Sequence, residues 1–251
     1  MRDPMHFDAI ADDYSAARPP YPPELWARVR DTGLVGPGRR ALDLGAGTGQ
    51  ATGPLLAMGP DVTAVEPGHR LAALLRARHP GAEVVVARAE DLTPADASFD
   101  LAVAATSIHW MDLDVVLPAV HRALTADGRF LVWRNVFGDA EAPVTPFRRR
   151  VSQIVERRGE TVSGGDPEDA AATAERLSRS GLFAVHEICQ WRWSIALDSH
   201  EIDRLFRTFS NWSADEAREA ADAVRELGGQ VIEHYSSWLI ELVPRRQPPP
   251  A

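Results

Sequence analysis

The 251-residue sequence contains no lysine and only one cysteine, Cys189. A single cysteine excludes an internal disulfide and a cysteine-rich metal cluster. Without lysine, Schiff-base chemistry and the lysine of a phosphate-binding P-loop are excluded. The sequence also lacks an uncharged apolar run long enough to cross a bilayer, and its N-terminal residues lack the apolar core of a signal peptide. We therefore expect a cytoplasmic protein that uses no metal and has no membrane partner.

Positive charge is also scarce. The formal net charge is −9 and the pI is near 5.4, and no basic stripe extends beyond local clusters such as Arg148, Arg149 and Arg150. Nucleic acid is therefore excluded as an expected partner. With 45% hydrophobic and 25% charged residues, the chain is typical of one globular catalytic domain with a cap. We expect a small-molecule substrate and either a monomer or a homodimer.

The most informative segment is residues 41–50, a short apolar run that ends in Gly45, Gly47 and Gly49. This pattern predicts a buried strand that turns into a helix. Glycines let the backbone of such a turn adopt positive φ and approach a ligand closely, and the helix that follows presents unpaired N–H groups. A turn of this kind is suited to hold a polar or charged small molecule.

A second predicted strand, residues 61–66, ends in Glu66. This acid follows Gly45 by about 20 residues, the separation at which dinucleotide-binding folds place the carboxylate that binds ribose hydroxyls. A nucleoside ligand is therefore expected. An NAD-dependent oxidoreductase is disfavoured for two reasons. The dinucleotide fingerprint Gly-x-Gly-x-x-Gly places its third glycine one position later than Gly49, where this sequence has Gln50. A Tyr-x-x-x-Lys motif also cannot exist in a chain without lysine.

At these residues the chain resembles the class I S-adenosylmethionine-dependent methyltransferases, over about residues 7–137. Within that family it is similar to the small-molecule branch that includes quinone-biosynthesis and trans-aconitate methyltransferases. The resemblance implies S-adenosyl-L-methionine as cofactor, with S-adenosyl-L-homocysteine as product. The segments that carry it are 42–49, 65–67, 89–92, 98–100, 108–110 and 124–130.

Strands and helices alternate from Arg40 onward, which predicts a parallel sheet. With the resemblance, the fold class is α/β: a Rossmann-like, seven-stranded, mostly parallel sheet with an antiparallel last strand, helices on both faces and a helical cap. The expected segments are N-terminal lid helices (1–36), a cofactor-binding core (37–137), cap helices with the last strands (138–243) and a flexible tail (244–251). The expected strands are about 41–45, 61–66, 83–87, 99–105, 129–135, 183–197 and 231–243. The expected helices are about 7–15, 24–34, 49–58, 68–79, 113–125, 146–158, 170–180, 199–209 and 213–227.

Site residues follow from the same resemblance. Tyr14 and Arg18 are expected at the methionine carboxylate, Asp43 near the ammonium, and Glu66 at the ribose. An adenine contact is expected near Ala89 and Glu90, although Arg88 departs from the aspartate that is common in the family. The full cofactor set is Tyr14, Arg18, Asp43, Gly45, Ala46, Gly47, Gly49, Glu66, Pro67, Ala89, Glu90 and Thr106, and the substrate-pocket set is Tyr21, His109, Trp110 and Trp133.

His109 is the candidate catalytic residue, because it follows the strand at 99–105 on the expected ligand edge and histidine suits proton abstraction near neutral pH. The alternative is that His109 and Trp110 only shape the pocket. His121 and His186 are expected to be structural. The predicted function is S-adenosylmethionine-dependent methyl transfer to oxygen or carbon of a small metabolite. The alternatives are a cofactor-binding member with a non-methylating role and, less well supported, an NAD-dependent oxidoreductase.

Overall fold

The computed structural model describes residues 17–158, 168–209 and 211–245. The predicted helix at 7–15 and nearly all of the predicted tail at 244–251 lie outside these ranges, and so does Tyr14. The four-segment division of the chain also stays a prediction.

Seven strands form one sheet in the order β3-β2-β1-β4-β5-β7-β6. The pairs β1–β2, β1–β4, β2–β3 and β4–β5 are parallel, and the last strand of the chain, β7, is antiparallel. The predicted fold class is thus confirmed. The strands are β1 (Arg40–Leu44), β2 (Asp61–Val65), β3 (Glu83–Val85), β4 (Phe99–Ala105), β5 (Leu124–Phe137), β6 (Phe183–Asp198) and β7 (Gln230–Pro244).

Eight α-helices are described, and each lies within about three residues of a predicted helix at both ends. Several of them begin at a residue with a capping side chain: Asp112, Thr145, Asp169, Asp198 and Ser213 each accept a backbone N–H of the first turn. The helices are α1 (Pro23–Asp31), α2 (Thr52–Met58), α3 (His69–Arg78), α4 (Leu113–Ala123), α5 (Pro146–Glu156), α6 (Ala170–Ser178), α7 (Ser199–Arg207) and α8 (Ala214–Glu226).

β5 begins earlier than predicted. The sequence favours a strand from residue 129, after a helix that reaches 125, but α4 ends at Ala123 and Leu124 already pairs with Phe99 of β4. The pairing then shifts register before it resumes between Leu101 and Arg129. The prediction was wrong at this point because the strand's first pairing is made by a residue that the apolar pattern assigned to the helix.

The chain divides into two compact units. Of the described residues, the sheet unit comprises 21–134, 168–191 and 237–245, and its main core packs α1 and α2 against the apolar side chains of β1 and β4. The helical unit comprises the described residues 17–20, 135–158, 192–209 and 211–236, and its core brings α5, α7 and α8 together around Phe147, Ile202, Phe206 and Val224. β5, β6 and β7 contribute residues to both units.

Candidate active site

The turn after β1 adopts the backbone that its glycines predict. Gly45, Gly47 and Gly49 have φ values of 68°, 58° and 95°, in the left-handed region that side chains with a Cβ rarely occupy. The N–H groups of Gly45 and Ala46 both donate to the carbonyl of Val65, at 2.8 and 3.0 Å. These bonds hold the turn beside the end of β2.

At two of these positions, neighbouring side chains leave no room for a Cβ. A Cβ on Gly45 would lie 2.6 Å from the Cβ of Ser107, and a Cβ on Gly49 would lie 2.3 Å from a ring carbon of His79. Ser107 in turn donates its hydroxyl to the carbonyl of Leu44 at 2.6 Å. The third glycine is therefore needed for packing against His79, whatever it does for a ligand.

Glu66 is fixed next to this turn. It is 6% exposed, and its two oxygens accept N–H bonds from Gly47 at 2.9 Å and from Gly68 at 2.8 Å. Charge-assisted bonds of this kind hold the carboxylate in one orientation. Because a carboxylate oxygen accepts more than one hydrogen bond, Glu66 keeps the capacity to bind hydroxyl groups.

Asp43, on β1, is fully buried. One oxygen accepts the Thr52 hydroxyl at 2.7 Å, whereas the other, Oδ1, has no hydrogen-bond partner in the described part of the chain. Burial, with the nearby charge of Glu66, raises the pKa of Asp43 to about 7, although the bond from Thr52 opposes the shift. An orphaned carboxylate oxygen of this kind fits a cationic group such as an ammonium.

The segment predicted to meet an adenine is a short 3-10 turn, Ala89–Asp91, in which Ala89 is buried. Glu90 accepts the N–H of Asp112 at 2.9 Å and pairs with Arg88 at 3.3 Å. Desolvation alone would raise the pKa of Glu90, but these two partners outweigh it and lower the pKa. Glu90 therefore fastens the turn to the segment that carries Asp112, a structural role that the sequence pattern does not reveal.

The residue directly after β4, Thr106, has a strained backbone. Thr106 has φ 58°, which is unusual for a β-branched side chain, and its N–H donates to the carbonyl of Trp133 at 2.8 Å. Its hydroxyl lies 2.9 Å from the hydroxyl of Tyr21. The ring of Trp133 itself is fully buried and packs edge-on against Tyr21 and Trp26 in the core of the sheet unit, and its predicted place in a substrate pocket stays a prediction.

His109 lies in the 3-10 turn Ile108–Trp110, with the Trp110 ring 5.0 Å from its own. Arg134, which no sequence pattern singled out, reaches it: the guanidinium lies 3.1 Å from Nδ1 of His109 and 3.6 Å from the carboxylate of Glu168. A guanidinium only donates, so the ring nitrogen that faces it must accept. This contact favours a neutral His109, in which Nδ1 cannot also take a proton from a substrate.

Arg18 belongs to the helical unit. It donates to the carbonyl of Thr208 at 2.9 Å, and its guanidinium lies 4.7 Å from the ring centre of Phe209. Its predicted role at a cofactor carboxylate is untested. Of the two histidines predicted to be structural, His121 lies 3.0 Å from the carbonyl of Arg245 and packs on Phe183.

Within the described ranges, no group of three or more histidine, cysteine or acidic residues is arranged to hold a metal ion. None of the described helices has the length and apolar character that a membrane span needs. Ser107 and Arg134 were missed from the sequence. Ser107 directly follows Thr106 of the predicted cofactor set and Arg134 directly follows Trp133 of the predicted substrate-pocket set, which is the signal that could have found them.

Known proteins resemble this chain in sequence. Residues 42–132 match the family model described as a methyltransferase domain. An uncharacterized methyltransferase of Mycobacterium tuberculosis (strain ATCC 25618 / H37Rv) is 38% identical over 132 residues, which are 52% of this chain and 53% of the relative. The malonyl-[acyl-carrier protein] O-methyltransferase of Methylococcus capsulatus is 32% identical over 157 residues, 55% of this chain and 56% of the relative. The chain thus spans about half the length of these curated relatives.

Solved structures share the fold. A candidate type II methyltransferase from Anaeromyxobacter dehalogenans is 27% identical with a TM-score of 0.58, over 91% of this chain and 99% of the other. Geranyl diphosphate C-methyltransferase from Streptomyces coelicolor A3(2), at 15% identity, gives a TM-score of 0.51 over 88% of this chain and 77% of the other. Residues 42–132 therefore match a methyltransferase domain, and the resemblance to class I S-adenosylmethionine-dependent methyltransferases is confirmed.

Proposed function

We propose that this protein transfers the methyl group of S-adenosyl-L-methionine to an oxygen or carbon atom of a small metabolite. The observation that carries the proposal is the pair of buried carboxylates at the glycine turn. Asp43 has an oxygen without a partner among the described residues, and Glu66 is held in place by Gly47 and Gly68. One acid suits a cationic group and the other suits vicinal hydroxyls, and this cofactor carries both, an ammonium on its methionine part and two hydroxyls on its ribose.

The cofactor would be held by the turn of Gly45, Ala46, Gly47 and Gly49, with Asp43 at its ammonium, Glu66 and Pro67 at its ribose, and Ala89 near its base. When bound, it supplies a methyl group that its sulfonium activates. This chain's own residues then have to orient the acceptor and exclude water. The hydroxyls of Tyr21 and Thr106 are hydrogen-bonded to each other directly after β4. Such a fixed pair of hydroxyls suits the task of orienting the acceptor.

Among these acceptors, the contact of His109 favours one that needs no strong base. Arg134 occupies the accepting nitrogen of His109, which favours a neutral His109 that positions the acceptor over one that removes its proton. The relative from Methylococcus capsulatus is named for methyl transfer to a malonyl-carrier oxygen. That name supports an oxygen acceptor, such as a carboxylate, which is already ionised near pH 7.

Calorimetry with S-adenosylmethionine, S-adenosylhomocysteine and NAD tests the cofactor assignment. We expect saturable binding of the first two, and no binding of NAD at the same concentrations. Binding of NAD alone would instead favour the oxidoreductase alternative, and binding of none would contradict both.

A methyl-release assay across carboxylates, phenols and carbon acids tests the catalytic part. Methylation of one class supports the enzyme. A protein that binds S-adenosylmethionine and methylates no member of the panel would favour the alternative that the fold holds the cofactor for a non-methylating role.

A further inference from the structure

The end of α3 packs against the glycine turn. Leu75 and His79 are four residues apart, so their side chains project from the same face of this helix end. Leu75 is fully buried in a small cluster with Ala46 of the turn and Ala64 of β2. A Cβ on Gly49 would lie 2.7 Å from its Cδ1. Leu75 and His79 have no part in the proposed contacts with the cofactor, and both belong to the sheet unit.

The imidazole of His79 fills a notch between two glycines. A Cβ on Gly49 would lie 2.3 Å from Cδ2 of the ring, and a Cβ on Gly53 would lie 2.5 Å from its Cε1. Both distances are much shorter than a van der Waals contact, so the ring occupies the space that either side chain would need. One ring therefore lies against both the last glycine of the turn and the first turn of α2.

Gly49 joins the glycine turn to α2. Its N–H donates to the carbonyl of Ala46 at 3.0 Å, and its carbonyl accepts the N–H of Gly53 at 2.9 Å. Because these bonds link Gly49 to both sides, a shift of Gly49 also moves the backbone that we propose to hold the cofactor. The packing of His79 on Gly49 and Gly53 is thus coupled to the geometry of the turn.

His79 is itself held in place. Its N–H donates to the carbonyl of Leu75 at 2.9 Å, and its carbonyl accepts the N–H of Ala82 at 3.0 Å. Burial, with the neighbouring charge of Arg78, lowers the pKa of the imidazole from its ordinary value, so the ring is neutral at pH 7. A neutral ring packs against backbone without the cost of desolvating a charge.

We propose that His79 is a positioning residue for the cofactor, whose ring packs against Gly49 and Gly53 and holds the glycine turn in the conformation that binds S-adenosyl-L-methionine. This inference rests on the proposed function. A turn that is already ordered loses less conformational freedom when a ligand binds, so the ligand binds more tightly. The ring acts on affinity through the turn.

A double-mutant cycle of His79→Ala and Gly53→Ala tests this, with affinities for S-adenosylmethionine and S-adenosylhomocysteine measured by calorimetry. His79→Ala removes the ring and should weaken both ligands by a similar factor, roughly tenfold, because they share the parts that the turn holds. In a helix, alanine is intrinsically preferred to glycine, so any loss in Gly53→Ala comes from the clash with His79. We expect that loss also to be roughly tenfold.

The double variant is the sharpest measurement. Without the ring, the methyl group added at Gly53 meets no clash, so the double variant should bind no more weakly than His79→Ala alone. Independent effects would instead multiply to a loss of roughly 100-fold. His121→Ala is the matched control, since it removes a partly buried imidazole that packs on Phe183. It should lower the free energy of unfolding in urea and leave both affinities unchanged.

The outcomes separate this inference from the proposed function. If the wild-type protein binds S-adenosylmethionine and His79→Ala binds it equally well, or if the two losses multiply, His79 has only a structural role and the inference is overturned. If His79→Ala does not fold, an unchanged affinity in Gly53→Ala overturns it. If the wild-type protein itself binds neither ligand, the proposed function fails and this inference fails with it.

Discussion

Four acidic side chains are buried among the described residues: Asp43, Glu66, Glu233 and Glu241. They differ in what they contact. Glu66 accepts backbone N–H groups, Glu241 pairs with Arg28 and Arg129, and Asp43 and Glu233 retain oxygens without hydrogen-bond partners in the described ranges. Satisfied acids stabilise a fold, whereas orphaned ones are the places to look for a ligand.

At Asp43, cofactor binding should depend on pH. The carboxyl is largely protonated below its pKa of about 7, and only its ionised form attracts an ammonium, so affinity for S-adenosylmethionine should rise as pH increases from 6 to 8. Asp43→Asn should weaken binding by roughly 1.5 to 3 kcal/mol at pH 8, the scale of a hydrogen bond to a charged group, and should flatten this rise. Calorimetry at both pH values measures this, with the exposed Asp61→Asn as control. An equally steep rise in Asp43→Asn would contradict the assignment.

At His109, the two roles predict different pH profiles. Because Arg134 donates to the ring, we expect His109→Gln to lower the rate of methyl transfer by less than about 10²-fold and to leave the shape of the pH–rate profile unchanged. A general base would instead show a loss of about 10² to 10⁴-fold and would lose an ionisation from the profile. The rates must be measured with an acceptor whose nucleophile is protonated at the assay pH, since a carboxylate acceptor needs no base.

At Gly49, the structure separates two costs of a side chain. Gly49→Ala adds a Cβ at φ 95° and places it 2.3 Å from His79, whereas Gly33→Ala adds one at φ 67° with no atom within 4 Å. We expect Gly33→Ala to lower the free energy of unfolding by about 1 kcal/mol, and Gly49→Ala to lower it by about 1 to 3 kcal/mol more, on the scale of overpacking in a core. Urea denaturation measures both. Equal losses would show that His79 moves aside freely.

At the scale of elements, α1 is fastened to the sheet by a network of arginines and glutamates. Arg28 on α1 donates to Glu187 of β6 at 3.0 Å and to Glu241 of β7, and Glu241 also lies 3.3 Å from Arg129 of β5. Glu241 is 4% exposed, and these two arginines are its ion-pair partners. α1 begins two residues after Tyr21, so this network also anchors the segment whose Tyr21 hydroxyl lies 2.9 Å from that of Thr106.

Arg28→Ala should therefore destabilise the protein more than the loss of a surface ion pair. We expect a drop of about 2 to 4 kcal/mol, because the substitution leaves the buried Glu241 with Arg129 alone. Arg150→Ala breaks the exposed pair with Glu226 and should cost less than about 1 kcal/mol. Thermal and urea denaturation of both variants gives the comparison, and a similar small loss in each would mean that Arg129 suffices for Glu241.

At the scale of the whole molecule, two raised pKa values predict how stability depends on pH. Folding holds a proton on Asp43 and on Glu233 up to about pH 7, whereas the unfolded chain releases both near pH 4. The folded state thus binds more protons between these values, so these groups make stability fall as pH rises from about 4 to about 7, and it levels off above. The hydrogen bond with Arg158 lowers the pKa of Glu216 to about 2. The stability that Glu216 contributes is therefore lost only as the pH falls below its ordinary pKa.

Urea denaturation at pH 5 and pH 8 tests this sign. At about 1.4 kcal/mol for each pKa unit, each group lowers stability by up to about 3 kcal/mol at pH 8. Asp43→Asn with Glu233→Gln should remove most of the difference between the two pH values, and should make the protein more stable than wild type at pH 8. A wild-type protein that is more stable at pH 8 than at pH 5 would contradict the prediction.

The sequence alone determined the order of strands and helices along the chain, because alternation, glycine position and capping residues act over a few neighbouring residues. Asp61–Val65 and Phe99–Ala105 were predicted to within one residue, and the resemblance of the glycine turn correctly indicated the methyltransferase class. Glu66 was predicted as a cofactor ligand because the strand pattern places it at the carboxyl edge of the sheet, and the structure shows it next to the glycine turn, where its role in binding stays a prediction.

Only the tertiary structure decided which side chains meet. His79 fills the space that Gly49 leaves open, Arg134 donates to His109, and Glu233 is buried beside Tyr235 without a hydrogen-bond partner in the described ranges. The first two contacts join residues that are distant in sequence and meet only in the folded chain. The third depends on how completely the packed unit excludes solvent from Glu233. A sequence pattern specifies the face on which a residue lies, whereas the desolvation and pairing that set its chemistry depend on the whole packed environment.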